Sequence, residues 1–135
     1  MKVLTITLLL VTGTVFAGSH PKHVVSVKQE KVVSVKVDQE KFVPGTRIKV
    51  KFIEVVEDGR CPTDVRCIWA GNAKAKFQFS KGSDTEVVEL NTTLNPQTFE
   101  FGGYTFRLTG LLPRPRSNVR INRLGYVAAV SAKKH

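Results

Sequence analysis

Ala73-Lys74-Ala75-Lys76-Phe77-Gln78-Phe79 alternates apolar and polar residues without a break, and Ile48-Lys49-Val50-Lys51-Phe52 does the same twenty-odd residues earlier. Period two puts every second side chain on one face of an extended strand, so each stretch reads as a strand with one buried and one wetted face. The alternation slips at Ile53-Glu54, which predicts a bulge or a strand end there. Lys81-Gly82-Ser83-Asp84 follows as a hairpin turn, with glycine free to take a positive φ.

Working outward, Val87, Val88 and Leu90 continue the pattern up to Asn95-Pro96. Phe99 and Phe101 alternate, Gly102-Gly103 turns the chain, and Tyr104, Phe106 and Leu108 form the next apolar row. The run from Leu111 to Asn118, with Pro113 and Pro115, reads as loop. Val119-Arg120-Ile121 reads as a short strand broken by Gly125, and Tyr126 to Val130 as the last one. Ala73, Ala75, Ala128 and Ala129 suggest strands closely approached by bulky neighbours such as the phenylalanine rows. No window carries a 3.6-residue apolar stripe. Strands at regular spacing between turn signals mean an all-β, antiparallel β-sandwich or small barrel.

Toward the N-terminus, Val24-Val25-Ser26-Val27-Lys28 is echoed by Val32-Val33-Ser34-Val35-Lys36. Valine in alternation favours strand, and a repeated pattern fixes register weakly. The echo therefore reads either as two short strands or as a polar extension ahead of the domain. Met1-Lys2, the apolar run Val3 to Val11, and Gly13 to Ala17 follow the three-part pattern of a secretory signal peptide. The run is too short to span a bilayer, which takes about 20 residues. The expected organisation is a signal peptide over 1–17, a flexible arm over 18–32, a single β-domain over 33–132 and a basic tail over 133–135. The mature product is expected in the periplasm or secreted, with no transmembrane segment once the signal is removed.

The net charge is +10. Such a balance favours an anionic surface or an acidic protein as partner. Nucleic acid is not expected, because no aromatic platform for stacking bases and no recognition-helix pattern accompanies the charge. If the two main strands pair as a hairpin, Lys49 and Lys51 are expected near Lys74 and Lys76 on the outer face. Arg114 and Arg116, set between prolines, would extend that cationic face toward lipid headgroups, lipopolysaccharide or glycan.

The densest segment is Asp58-Gly59-Arg60-Cys61-Pro62-Thr63-Asp64-Val65-Arg66-Cys67-Ile68-Trp69-Ala70-Gly71. Two cysteines in an exported chain are most simply a disulfide. A Cys61–Cys67 loop is so short that chain entropy assigns it only about 2–2.5 kcal/mol. Its work is then local: shaping the loop and placing Trp69. A redox pair is expected at closer spacing, and a zinc site wants four ligands. Trp69 reads either as a core residue packed on the disulfide or as an exposed anchor flanked by Arg60 and Arg66, the residue types enriched at binding hot spots.

This segment resembles the signature of a group of uncharacterised exported bacterial small β-domain proteins. In these, Asp-Ser-Arg-Cys-Pro precedes Cys-[Val/Ile]-Trp-Ala-Gly. Gly59 stands where the group usually has serine. The resemblance implies a small β-domain in the cell envelope and brings no activity with it.

Catalytic signatures are missing: no nucleophile elbow, no His-Glu-x-x-His, and three histidines that all lie near the termini. No cofactor is expected. A hydrolase built on a carboxylate pair is the remaining enzymatic reading, with Glu54, Glu57, Asp58 and Asp64 as candidates; their simpler role is pairing with Arg60 and Arg66. Cleavage after Ala17 would leave Gly18, Ser19 and His20 at the new N-terminus, a nitrogen set suited to Cu(II) or Ni(II). The leading reading is an exported non-enzymatic binding domain that contacts anionic envelope components. The alternative is a protein-interaction module, an inhibitor or assembly accessory, using the disulfide loop and Trp69.

Overall fold

The structure, a computed structural model, describes Leu10, residues 12–18 and residues 28–135. Among the described residues eight strands form two four-stranded antiparallel sheets. One has the order β1 (Lys31–Lys36), β8 (Val127–Lys134), β7 (Tyr104–Leu112), β6 (Thr98–Phe101); the other has β2 (Glu40–Phe42), β3 (Lys49–Asp58), β4 (Ala73–Lys81), β5 (Asp84–Asn91). The architecture is a β-sandwich. In the segment expected to be a signal peptide, Leu10, Val15 and Phe16 are exposed and add nothing to the core.

Alternation builds both inner faces. Ala73, Ala75, Phe77 and Phe79 of β4 are all buried, as are Val50 and Phe52 of β3. After Phe52 the next inward residue of β3 is Val55, three positions on. An odd step would turn it outward, and a register shift between Phe52 and Glu54 restores it. The slip read at Ile53-Glu54 is thus a bulge. β7 uses the same device: a shift between Leu108 and Gly110 keeps Leu111 on the inside, so the strand runs on to Leu112 and the loop starts only at Pro113.

Aromatic rings fill the space between the sheets. Phe52 stacks on Phe77 with centroids 5.1 Å apart, and Phe79 meets Phe106 of the other sheet at 4.5 Å. Both spacings suit offset aromatic packing. Ala128 and Ala132 of β8 face this aromatic layer from within the core, while Ala129 lies half-buried on the opposite side of its strand.

Two turns follow from glycine. Gly82 at φ 60° sits in the two-residue turn closed by Lys81 and Asp84. Gly102 and Gly103, both at positive φ, join β6 to β7 as a turn with two left-handed residues requires. The chain changes sheets at Val37–Gln39. There Asp38, at φ 65°, donates its main-chain N–H to Phe52 O at 2.7 Å.

Some boundaries differ from those read in the sequence. β1 begins at Lys31, opposite Ala132, and β8 runs through Lys134, opposite Tyr104, into the expected tail. The second valine cluster is β1, while the first lies outside the described residues. The expected strand at Val119–Ile121 is not formed. β8 is already paired on both sides, by β1 and β7, so no edge is offered to that segment. It stays irregular and leads into a 3-10 helix, Arg123–Gly125, whose cap Asn122 accepts from Leu124 N–H at 3.0 Å.

Candidate functional site

Three connections meet at one end of the sandwich: residues 59–72 between β3 and β4, residues 92–97 between β5 and β6, and residues 113–126 between β7 and β8. Cys61 and Cys67 are disulfide-bonded with Cα atoms 5.9 Å apart. The loop is folded back on itself, with Gly59 N–H donating to Asn72 O at 2.8 Å and Cys61 N–H to Ala70 O at 2.9 Å. Gly71 lies in the crossing. Its φ is +74°, and a Cβ there would stand 2.1 Å from Gly59 O. Only glycine fits.

Arg60 joins this loop to the next. Its guanidinium donates to both carboxylate oxygens of Asp58, each at 2.8 Å, and also to Leu111 O and Pro113 O. Tyr126 donates its hydroxyl to the same carboxylate at 3.0 Å. The Asp58 and Arg60 side chains are each 12% exposed. Burial pushes the Asp58 carboxyl up, but the bonds from Arg60 and Tyr126 and the nearby positive charge outweigh it and hold the pKa below the ordinary carboxylate value. The Tyr126 hydroxyl is pushed up to about 12, by burial first and then by its bond to Asp58.

Further bonds lock the three connections together. Thr63 N–H donates to Pro115 O at 2.9 Å, and Ser117 N–H donates to Asp64 Oδ1 at 2.8 Å. That second bond holds the Asp64 carboxyl below its usual range, with a smaller contribution from the charge of Arg116. Asn72 anchors the middle connection: its Oδ1 accepts from Thr93 N–H at 3.0 Å and Leu94 N–H at 3.1 Å, while its amide donates to buried Asn91. Thr93 Oγ1 donates to Gly71 O at 2.6 Å.

On this braced end apolar side chains face outward. Ile68 is 105% exposed and Trp69 53%. Trp69 and Leu94 share a shallow depression with Glu57 and Asn72. Trp69 is thus a half-exposed residue at the loop's tip and not part of the core. Arg66, Arg114 and Arg116 are exposed here, and none of the three is in a salt bridge among the described residues.

The structure rearranges the candidates read from sequence. Arg60 is not a free flank of Trp69; its donors are spent on Asp58 and on the 111–113 backbone. Nor do Lys49 and Lys51 lie opposite Lys74 and Lys76. Register counts outward from the connection, so Lys74 faces Glu57 and Lys76 faces Glu54, whereas Lys49 and Lys51 face Ser80 and Gln78 at the far end. Lys76 pairs with Glu54 at 3.4 Å and Lys49 with Glu40 at 3.0 Å. These exposed pairs stabilise little, but they supply Lys49 and Lys76 with counter-charge from within the chain. Of the carboxylate candidates, Glu54 pairs with Lys76, Asp58 with Arg60 and Tyr126, and Asp64 with a main-chain amide. Ser19 and His20 of the expected copper set lie outside the described residues.

Sequence reasoning missed Asn72, Asn91, Thr93, Leu94 and Tyr126 as members of this end. Asn72 directly follows the glycine of the signature segment, and that adjacency was the available signal. Tyr126 stands 68 positions from Asp58 and offered none. Comparison of the chain with family models, curated proteins and solved structures found no match.

Proposed function

We propose that this chain is a non-enzymatic protein-interaction module that docks an acidic protein through its disulfide-braced end. The observation that carries the reading is Ile68 and Trp69 projecting outward between two fixed points, the Cys61–Cys67 bridge and the bond from Cys61 N–H to Ala70 O. Exposing two large apolar side chains costs solubility, and holding them rigid reduces the ordering entropy lost on binding. Trp69 and Ile68 are the apolar anchors. Arg66, Arg114 and Arg116 select the partner by charge.

A protein partner is favoured over lipid headgroups or glycan by the mixed surface beside the anchor. Trp69 shares its depression with apolar Leu94, polar Asn72 and acidic Glu57, a pattern that a folded partner can match group by group and a uniformly anionic surface cannot. The lysine face, with Glu40, Glu54 and Glu57 among its residues, is the weaker candidate for anionic envelope components.

The single tryptophan supplies the test. Immobilised wild-type protein is compared with Trp69→Ala, Ile68→Asp and the double variant Arg114→Glu/Arg116→Glu, each checked for wild-type circular dichroism. The expected result is an acidic protein retained by the wild type and lost by all three variants, with a blue shift of Trp69 emission in the complex. Equal retention by Trp69→Ala would exclude this end as the docking surface. Salt-sensitive binding to anionic vesicles that survives Trp69→Ala would favour the lysine face instead.

A further inference from the structure

The sandwich has four edge strands, and three of them are short or obstructed. β2 has three residues and β6 four. β1 is six residues long, but Lys41 Nζ donates to Ser34 O at 2.9 Å and Gln39 Oε1 accepts from Lys36 N–H at 3.1 Å, so side chains occupy its outer main-chain groups. β5 is the exception. It has eight residues, pairs with β4 without a register shift, and contains neither proline nor lysine, two of the usual devices that keep an edge from pairing.

The register shows which groups of β5 are open. Opposed residues of an antiparallel pair alternate between exchanging both hydrogen bonds and turning both away. Lys81 and Asp84 close a two-residue turn and are of the bonded kind. Thr85, Val87, Glu89 and Asn91 therefore turn their N–H and C=O groups outward. Asn91 bears this out, since its N–H donates to Pro96 O at 2.9 Å. Thr85, Val87 and Glu89 make no such main-chain bond among the described residues.

The same edge is acidic in a basic protein. Asp84, Glu86 and Glu89 lie on β5, no basic residue does, and none of the three is in a salt bridge among the described residues. Lys81 and Lys76 of β4 stand opposite Asp84 and Glu89, but Glu86 stands opposite Phe79, and Asp84 and Glu86 line a depression with Glu100 that no basic residue lines. Beside the strand a cleft of about 510 Å³ has Val87, Val88, Leu94 and Pro96 on its wall together with polar groups that include Lys74 and Glu89. An added strand would find open main-chain groups, negative charge on one face and a partly apolar cleft on the other.

We infer that β5 accepts an extended segment of a partner protein by strand addition, the segment alternating cationic and apolar residues. Its main chain pairs with Thr85, Val87 and Glu89, its lysines or arginines meet Asp84 and Glu86 on one face of the strand beside Glu100, and an apolar side chain on the other face enters the cleft beside Val87. Glu57, Asn72 and Leu94 line both this cleft and the loop-end depression, but the main-chain edge of β5 is separate from the Trp69 anchor.

The test uses the full chain and a short synthetic peptide alternating lysine and valine, with a glutamate-for-lysine peptide as control. Amide hydrogen exchange by NMR should slow at Thr85, Val87 and Glu89 on adding the lysine peptide and stay unchanged with the control. Val87→Pro deletes one outward N–H while leaving the β4 ladder intact, as edge strands tolerate; it should weaken binding by about tenfold or more. Asp84→Asn/Glu86→Gln, which leaves the backbone alone, should also weaken binding and flatten its salt dependence. Protection elsewhere, or equal binding by both variants, would overturn the inference. Self-association of the unliganded chain that Val87→Pro abolishes would overturn the choice of occupant in favour of a second copy.

Discussion

Tyr126 donates its hydroxyl to Asp58 Oδ2 at 3.0 Å, joining the start of the last strand to the end of the third. The carboxylate is held at the same time by Arg60, whose other donors reach the carbonyls of Leu111 and Pro113. One acid thus organises three segments that are far apart in sequence.

Removing the hydroxyl alone tests the weakest arm of this network. Tyr126→Phe should cost about 1 kcal/mol, the usual net value of one hydrogen bond. Asp58→Asn removes the charge that Arg60 and Tyr126 both address and should cost about 2–3 kcal/mol. Urea unfolding at neutral pH measures both, and the order Asp58→Asn above Tyr126→Phe is the discriminating result.

The same pair predicts loss of stability at both extremes of pH. Asp58 has a folded pKa below its ordinary value, so its contribution is complete above the unfolded carboxylate range and is lost as pH falls through the folded value. Tyr126 is raised from 10.0 to about 12, so its contribution is complete below pH 10 and is lost between about 10 and 12. Compared with wild type, Tyr126→Phe should lose less stability across the alkaline window, and Asp58→Asn less across the acid one. Parallel curves for wild type and variants would remove the network as the source.

Gly71→Ala puts a methyl group against Gly59 O and demands a left-handed alanine. Both effects act at the crossing of the disulfide loop, and we expect a loss of about 2 kcal/mol or more. Gly82→Ala is the control, because it has positive φ but open space around it. It should cost about 1 kcal/mol, from backbone strain alone.

Phe79 touches Phe77, Phe99, Phe101 and Phe106 and is fully buried. Phe79→Ala should cost about 3–5 kcal/mol. Cys61→Ala/Cys67→Ala should cost about 2–2.5 kcal/mol, with hydrogen exchange accelerated in residues 59–72 rather than across the strands. Loss of the whole fold on opening the disulfide would show that the bridge holds more than its loop.

Particular residues show how far the sequence could be read. Every inward residue of β4 was legible because alternation is a local property, and so was the slip at Ile53-Glu54, since a bulge interrupts that alternation where it occurs. Val119-Arg120-Ile121 also alternates, yet no strand forms, because pairing needs a free edge and the alternation of three residues carries no information about one. β2 was unread for the related reason that three exposed residues leave no pattern. The lysine juxtaposition failed on register, which two bulges and a fourteen-residue connection set over a distance. At the loop end the disulfide was plain in the sequence and the exposure of Trp69 stayed open. The placement of Arg60 was hidden because its partners beyond Asp58, the carbonyls of Leu111 and Pro113, lie far along the chain.

The bonds that tie the disulfide loop to residues 111–117 end on main-chain atoms of that segment, Leu111 O, Pro113 O, Pro115 O and Ser117 N, with the Ser117 side chain and the Arg116 charge adding to the hold on Asp64. The side chains of Leu112 and Arg114 carry no part of the junction. The segment can therefore be rewritten at those positions while its path is kept, as in a display library, and recognition can be retargeted without redesigning the scaffold beneath it.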